Sequence, residues 1–334
     1  MHYFITGHTG FKGSWLVALL KQRGHEVSGY SLPPLKSGLF ELAGLEEELR
    51  AHTVDDIRDA SALKKALRVA QPDVVMHLAA QPLVLESFNN PAETYTTNVN
   101  GTLNLLEAVT DCPSVLASLV ITTDKVYRDT GNGNHSELDP LGGHDPYSAS
   151  KAMADILTQS WAETHPSINL HVARAGNVVG AFDVSLNRLL PDILRGVKEG
   201  KPVLIRHPDA VRPWQHVLDC LDGYLAFLNA ALEGHELPIP LNFGPDPEGF
   251  KSVRDVLEVA LKIYPQLKFE TSSPIGSQET KVLTLNSEAA KRHLGWGNKV
   301  PFQKAIESSL KVTGQPRDLL LKTVAGFETS ERRA

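Results

Sequence analysis

The chain has 334 residues, of which 42% are hydrophobic, 22% charged and 7% aromatic, a composition typical of a folded globular protein. Its 33 basic and 39 acidic residues give a net charge of −6, which argues against a nucleic-acid partner because phosphate-backbone binding needs a basic surface. No apolar run approaches the roughly 18 residues of a membrane-spanning helix, and no secretory signal follows Met1, so we expect a cytoplasmic protein without a membrane partner.

The first half of the chain alternates short apolar runs with helical patterns. It opens with a strand over 2–6, a helix from Phe11 to Arg23 and a strand over 26–32. Later strands are predicted at 73–80, 118–123 and 169–180, with helices at 60–70, 99–110 and 148–163. Strands joined by helices run parallel, and strands that are hydrophobic throughout suit a sheet covered on both faces. The pattern therefore predicts an α/β fold with a Rossmann-type doubly wound parallel sheet.

After about Gly180 the pattern loosens into segments rich in proline and glycine, with helices predicted from Val217 to Leu232 and from Ser252 to Tyr264. This favours a smaller, mixed α/β lobe. We predict a Rossmann domain over 1–178 and a lobe over 179–334, from which some segments return to the first domain. The chain's two cysteines lie far apart without metal-ligand spacing, so we expect buried thiols, no disulfide and no metal site.

Three glycines, Gly7, Gly10 and Gly13, recur every third residue at the first strand-to-helix turn. Glycine permits the tight turn and lets the backbone approach a pyrophosphate, whose charge the helix N-terminus stabilises. A glycine-rich turn without a ligand is the alternative, but the position in the first βα unit favours dinucleotide binding. We therefore predict that this loop, including Thr9 and Phe11, contacts a dinucleotide cofactor.

The end of the second strand weakly determines the choice between NAD and NADP. Residues 30–33 stand where an acidic side chain ordinarily binds the adenosine ribose. Lys36 could lie near a 2′-phosphate, although a solvated loop charge is the commoner situation. Asp56 and Ile57 could border the adenine, and an acidic helix cap is an equally good interpretation of Asp56.

Tyr147 and Lys151 are one helical turn apart at the start of a predicted helix. A tyrosine must lose about three pKa units to act as a base near neutrality, and a neighbouring ammonium together with a nicotinamide cation can lower its pKa. Lys151 would also position the nicotinamide ribose. A YxxxK match alone is common and mostly structural, so its context decides.

That context is the end of the strand over 118–123, where Thr123, Asp124 and Lys125 follow one another. Ligands of α/β proteins bind at the carboxyl edge of the sheet, so a hydroxyl, a carboxyl and an amine would converge on one crevice. The alternative is a strand-end hydroxyl followed by a solvated turn pair.

Together the glycine loop, Asn98 in TNVNGT, Thr123 and YxxxK resemble the extended short-chain dehydrogenase/reductases that act on nucleotide sugars. Longer strings, among them TGHTGFKGSWL (6–16), TTDKVY (122–127) and RPWQHV (212–217), resemble the CDP-glucose 4,6-dehydratases. These motifs extend over most of residues 1–225 and are far more specific than the short dehydrogenase motifs.

The resemblance implies bound NAD and a redox-neutral dehydration of a nucleotide hexose, CDP-glucose, to its 4-keto-6-deoxy product. Carbon 4 is oxidised, water leaves across carbons 5 and 6, and hydride returns to carbon 6. Tyr147 would take the 4-hydroxyl proton while Thr123 binds that oxygen, and a protonated Asp124 would be the acid for the 6-hydroxyl. Lys125 occupies the place of the carbon-5 base, either as a neutral amine or as a cation that stabilises the enolate. Ala79 is expected at the cofactor.

The resemblance also implies residues at the nucleotide sugar. Asn98 is expected to be a scaffold or water-relay residue, with a strand or helix cap as the alternative. For Arg206 and Arg212, surface salt bridges are the alternative to binding a diphosphate. Gly180–Val184 replaces a glycine-rich stretch and Leu85–Glu86 a segment that is often basic, which leaves nucleotide preference open. A homodimer through a four-helix contact of the helices from 99 and 148 is expected. The substrate candidates are Gln81, Asn98, Asn177, Arg188, Arg206 and Arg212.

Three alternative functions remain at this point. A nucleotide-sugar 4-epimerase would use the same tyrosine, lysine and threonine, but it needs no acid and base beside the threonine. A 4,6-dehydratase for another nucleotide would share the whole catalytic set. A non-catalytic dinucleotide-binding regulator would keep the glycine loop, yet such a protein typically loses Tyr147 or Lys151.

Overall fold

A computed structural model describes residues 1–129, 131, 133–271 and 281–331. Its strands are β1 (His2–Thr6), β2 (Glu26–Ser31), β3 (Ala51–Val54), β4 (Val74–His77), β5 (Ala117–Thr123), β6 (Asn134–His135), β7 (Leu170–Ala175), β8 (Asn177–Val179), β9 (Val203–Ile205), β10 (Val211–His216), β11 (Pro240–Phe243), β12 (Phe250–Ser252), β13 (Phe269–Thr271) and β14 (Thr284–Leu285). Its α-helices are α1 (Phe11–Gln22), α2 (Leu39–Leu42), α3 (Ala60–Ala70), α4 (Val84–Asn89), α5 (Pro91–Tyr95), α6 (Gly101–Thr110), α7 (Pro146–Thr164), α8 (Leu189–Glu199), α9 (Val217–Leu232), α10 (Val253–Ile263), α11 (Glu288–Leu294), α12 (Phe302–Leu310) and α13 (Pro316–Glu331).

The main sheet has seven parallel strands in the order β11-β7-β5-β4-β1-β2-β3. Successive side chains of a strand point to opposite faces, and β1 shows both sides of the core. Tyr3 and Ile5 pack with residues of α1, α9 and α13, whereas Phe4 packs with residues of α3 and α6. Both faces of the sheet are covered, so the predicted doubly wound Rossmann-type fold is confirmed.

One predicted strand, over 169–180, is two strands in the structure. β7 ends in the main sheet, and after Gly176 the chain continues as β8, which pairs with β10 in a separate three-stranded sheet. A Cβ on Gly176 would lie 2.4 Å from Cγ of Pro213. The link between β7 and β8 therefore needs glycine, because a larger side chain at Gly176 would collide with Pro213 of β10.

The second lobe has its own hydrophobic core, formed by residues of α8, β9, β10, α10 and α12. Among the described elements beyond residue 179, β11 belongs to the main sheet, and α9, α11 and α13 share its hydrophobic core. The division into a domain over 1–178 and a lobe over 179–334, with segments that return to the first domain, stays a prediction. Within the described part of the chain, no helix has the length and apolarity needed to cross a membrane.

Candidate active site

The glycine loop lies at the carboxyl end of β1, against the segment that follows β4. Gly7 has φ +77°, and a Cβ there would lie 2.7 Å from the Ala79 nitrogen. A Cβ on Gly13 would lie 2.2 Å from the Gly7 carbonyl oxygen. Gly10 is the N-cap of α1 and contributes no side-chain cap, and the first amides of a helix, here from Phe11 on, have no intrahelical partners. Such a turn suits an anionic diphosphate.

At the end of β2, small hydroxyls replace the usual acidic residue. The Thr9 hydroxyl donates to the Leu32 carbonyl at 3.1 Å and lies 2.7 Å from Oγ of Ser31. Thr9 thereby fixes the glycine loop to the strand that borders the adenosine side of a Rossmann site. Lys36 is exposed, in line with a solvated charge.

Asp56 is not the helix cap that the sequence offered as an alternative. Asp59 caps α3 by accepting from the Ser61 and Ala62 amides. The Asp56 carboxylate is hydrogen-bonded by the Arg58 guanidinium, which lowers the pKa of Asp56. Asp56 directly precedes Ile57, which is buried. Contact of these two residues with the adenine stays a prediction.

Tyr147 and Lys151 occupy the first two turns of α7, whose N-terminus is capped by Asp145. Lys151 is buried, and its Nζ donates to the Ile121 carbonyl at 2.7 Å. Burial, and secondarily the charge of Lys12, lowers the pKa of Lys151 to about 8. The pair is thus part of the protein interior at the edge of the sheet.

The expected lowering of the Tyr147 pKa includes the effect of a nicotinamide cation and stays a prediction. Burial raises the pKa of Tyr147 to about 12, although hydrogen bonding by Thr123 and the charge of Arg188 act against the rise. The Lys151 ammonium donates to the Ile121 carbonyl. The groups that chiefly change the pKa of Tyr147 are Thr123, Asp124, Arg188 and Asp145. A positively charged nicotinamide next to the hydroxyl is the remaining source of a lower pKa.

Thr123, Asp124 and Lys125 converge as the sequence predicts. Oδ1 of Asp124 accepts from the Thr123 hydroxyl at 2.9 Å and from the Lys125 ammonium at 3.1 Å. Asp124 is completely buried, so it does not belong to a solvated turn pair. Its Oδ2 has no hydrogen-bond partner among the residues that the structure describes. A buried carboxyl oxygen without a partner is well suited to carry and deliver a proton.

Asn98 and Gln81 are engaged with the protein itself. Asn98 lies buried in a π-helical turn (Thr96–Asn100). Its side-chain oxygen accepts from the backbone N–H of Gln81 at 2.8 Å, and its Nδ2 donates to Oγ of Ser150 at 2.9 Å. The Gln81 side chain bonds Thr94 at 2.9 Å. These contacts favour the scaffold role for Asn98, and substrate contact by either residue stays a prediction.

The candidate residues of the second lobe are held less tightly, with one exception. Arg188 begins α8 and forms an ion pair with Asp183 at 3.1 Å, and Nη2 of Arg206 lies 3.5 Å from Oδ1 of Asn187. Arg212 is the exception, because it is buried in β10. Asn177 lies on the neighbouring strand β8, where it pairs with Trp214, two residues beyond Arg212 in β10.

Sequence reasoning assigned no role to Lys12 and overlooked Tyr224. The Lys12 ammonium donates to the Tyr224 hydroxyl at 3.2 Å and lies 5.5 Å from the centre of its ring. Tyr224 is buried in α9. The position of Lys12 inside the glycine motif indicates that it lies near the cofactor loop. Tyr224 is 212 residues away, and no local sequence pattern connects the two residues.

Comparisons with known proteins match this geometry. The profile of the NAD dependent epimerase/dehydratase family matches residues 3–239. The chain belongs to this family. It is 38% identical over 306 residues to a CDP-glucose 4,6-dehydratase of Salmonella typhimurium, covering 88% of this chain and 85% of that protein. It is 33% identical over 340 residues to a dTDP-glucose 4,6-dehydratase of Shigella flexneri, covering 93% and 92%.

The fold is also similar to that of a dTDP-glucose 4,6-dehydratase from Bacillus anthracis, solved in complex with NAD. The TM-score is 0.78 at 23% identity, with 93% of this chain and 96% of that chain covered. The predicted family resemblance is therefore confirmed, and NAD is confirmed as the cofactor of this NAD-dependent family. The glycine loop, the open first turn of α1 and the buried Lys151 fit a dinucleotide and would hold it.

Proposed function

We propose that this family member dehydrates a nucleotide-activated glucose, CDP-glucose, to the 4-keto-6-deoxy sugar. The observation that carries the proposal is the buried Asp124, bonded to both Thr123 and Lys125 at the end of β5. An epimerase needs the Tyr147 hydroxyl and Thr123, but a carboxyl and an amine beside the threonine serve no step of epimerisation. Loss of water requires both an acid and a base.

When bound, NAD⁺ supplies an acceptor for the hydride from carbon 4 and later returns that hydride to carbon 6. Tyr147 takes the proton of the 4-hydroxyl, and Thr123, which is bonded to the Asp124 carboxylate, holds the same oxygen. Oxidation makes carbon 4 a ketone, so the hydrogen on carbon 5 becomes acidic. This order explains why the oxidation and elimination groups must lie in one site.

Elimination follows with balanced proton transfers. In the reacting state Lys125 is a neutral amine and Asp124 carries a proton on Oδ2. Lys125 takes the carbon-5 proton, the carbon-6–oxygen bond breaks, and Asp124 delivers its proton so that the oxygen leaves as water. After hydride return, Lys125 gives its proton back to carbon 5. Tyr147 has gained one proton and Asp124 has lost one, and exchange with solvent restores both residues. The net change is loss of one water, with no net oxidation.

The second lobe supplies the groups for the nucleotide diphosphate. Arg212, Arg206 and Arg188 offer planar, forked donors that match phosphate oxygens. Asn177 lies on β8, which pairs with the strand that carries Arg212. Cytidine as the nucleotide is supported by the CDP-glucose 4,6-dehydratase relative, which is 38% identical over 88% of this chain.

The proposal includes a cytoplasmic homodimer. Met153 and Ile156 are 48% and 53% exposed on α7, and their spacing of three residues puts both on one helix face. α7 packs beside α6, so two copies of this pair would form a four-helix contact and cover these side chains. Light scattering on the purified protein would test it, with Ile156→Lys expected to give monomers.

The direct test is mass spectrometry of CDP-, UDP-, dTDP- and GDP-glucose after incubation with the protein and added NAD⁺. We expect loss of one water from CDP-glucose. Water loss from another nucleotide sugar would retain the reaction and change the nucleotide. An isomer of unchanged mass would instead indicate an epimerase, and an unaltered substrate would indicate a non-catalytic protein.

A further inference from the structure

A buried carboxylate on α7 connects the two strands that flank the catalytic groups. Asp155 lies one helical turn beyond Lys151 and is completely buried. Its Oδ2 accepts from the Thr122 hydroxyl at 2.8 Å and from Nε of Arg174 at 2.9 Å. Its Oδ1 accepts from Nη2 of the same arginine at 2.7 Å. Thr122 immediately precedes Thr123, so this carboxylate joins the helix of Tyr147 to the end of β5.

The arginine extends the connection past the catalytic turn. Nη1 of Arg174 donates to the Tyr127 hydroxyl at 2.9 Å, and that hydroxyl donates to Oδ1 of Asn242 at 2.6 Å. The Tyr127 ring stacks on His135 with 4.8 Å between ring centres. Tyr127 directly follows the 3₁₀ turn Asp124–Val126. Its hydroxyl therefore anchors the far end of the turn that carries the acid and the base.

By contrast, the catalytic side chains of that turn are held locally. The hydrogen bonds described for the Asp124 carboxylate and the Lys125 ammonium join them to each other and to Thr123. Thr123 also bonds Tyr147, and beyond that contact the position of the turn relative to the tyrosine depends on the backbone on either side. Thr122 fixes the backbone before the turn and Tyr127 fixes it after the turn, and both bonds lead to Asp155 on the helix of Tyr147.

We propose that Asp155, Arg174 and Tyr127 form a positioning relay that holds the acid and base of elimination at a set distance from the tyrosine of oxidation. Tyr127 acts on the elimination half, because it anchors the side of the turn beyond Lys125. The relay rests on the proposed dehydration, since without elimination there is no second step to position. Buried, fully bonded polar networks resist displacement, and small displacements of catalytic groups slow a reaction strongly.

The test compares Tyr127→Phe with the wild type and with Tyr264→Phe. The Tyr127 hydroxyl takes part in two hydrogen bonds. The Tyr264 hydroxyl donates one, at 2.7 Å to the Leu310 carbonyl, and its ring packs on the second core. Three quantities are measured: kcat for water loss, thermal midpoint, and exchange of the carbon-5 hydrogen of the 4-keto-6-deoxy product in D₂O. This exchange needs the base alone and no hydride transfer.

We expect Tyr127→Phe to slow both water loss and carbon-5 exchange by about tenfold to a hundredfold, with KM near the wild-type value. Tyr264→Phe should leave both rates unchanged. A Tyr127→Phe protein with a lower thermal midpoint but wild-type exchange would overturn the relay and leave a purely structural network. Equal loss of exchange in the two variants would overturn it too.

If Tyr127→Phe fails to fold, Thr122→Val tests the other side of the relay with an isosteric side chain. Because Thr122 adjoins Thr123, this variant should slow oxidation and elimination together, and an unchanged kcat would contradict the relay. A wild-type protein that removes water from none of the nucleotide sugars would reject the proposed function and the relay with it, whereas variant results alone concern only the relay.

Discussion

The edge of the main sheet and the second lobe hold their polar side chains in different ways. At the edge, Asp124 and Lys151 are buried and bonded to neighbouring residues at 2.7 to 3.1 Å. In the second lobe, Arg188 and Arg206 are half-buried, and their contacts are 3.1 and 3.5 Å long. The comparison indicates that the fold fixes the proposed catalytic groups, whereas it holds two of the three arginines proposed for the diphosphate less firmly; the third, Arg212, is buried in β10.

The largest effect should follow from a change at the sheet edge. Tyr147→Phe removes the only group proposed to take the 4-hydroxyl proton, so kcat should fall about a thousandfold with KM almost unchanged. Steady-state kinetics on CDP-glucose measures both values, and circular dichroism verifies folding. A variant with a tenth or more of the wild-type kcat would show that the tyrosine is not the base.

Asp124→Asn should have the next largest effect. The amide keeps the size of the side chain but cannot deliver a proton, so water loss should slow about a hundredfold. Oxidation at carbon 4 should survive, because Thr123 and Tyr147 remain. Mass spectrometry of the product measures water loss, and unchanged water loss would show that Asp124 is not the acid of the elimination.

The second lobe should respond in KM and not in kcat. Arg206→Ala removes a charged hydrogen-bond donor from the proposed diphosphate site, which should raise KM for the nucleotide sugar about tenfold. kcat should stay within about twofold of the wild type. A fall in kcat with unchanged KM would mean that this arginine belongs with the catalytic region, and the contrast between the two regions would break down.

The lowered lysine pKa predicts opposite trends in activity and stability. Lys151 has a pKa of about 8 in the folded protein against an ordinary 10.5, so activity should fall above about pH 8 as the ammonium is lost. Between these two pKa values Lys151 binds more protons in the unfolded chain than in the folded one. The contribution of Lys151 to the free energy of unfolding therefore rises with pH over this range. Lys151→Met should abolish that rise, as measured by denaturant unfolding across this range.

The smallest effect is expected in the exposed loop after β2. Lys36→Ala should leave kcat and the KM values for NAD⁺ and NADP⁺ within about twofold of the wild type, because an exposed side chain contributes little. Initial rates with each cofactor measure this. A selective loss of NADP⁺ use would instead place the lysine at a 2′-phosphate.

Features that depend on neighbouring residues could be predicted from the sequence, and features that depend on distant ones could not. Regular spacing in the sequence identifies the three glycines Gly7, Gly10 and Gly13 and the pair of Tyr147 and Lys151. The same holds for the centre of the parallel sheet, because β4 and β5 are mainly apolar and buried along their length.

Contacts between distant segments escaped the sequence. Asp155 and Arg174 are 19 residues apart, and Arg174 and Tyr127 are 47 apart, so no periodicity relates them. The break at Gly176 was missed because the run over 169–180 is apolar on both sides of it. The raised pKa of Tyr147 was missed because burial, which spacing does not report, outweighs nearby charges.

The central claim is that one site oxidises carbon 4 and then removes water. The most direct measurement uses CDP-glucose with deuterium at carbon 4 and locates the label in the product by NMR. We expect the deuterium at carbon 6 of a sugar that has lost one water. Deuterium retained at carbon 4 of an isomerised glucose would contradict the claim and identify epimerisation.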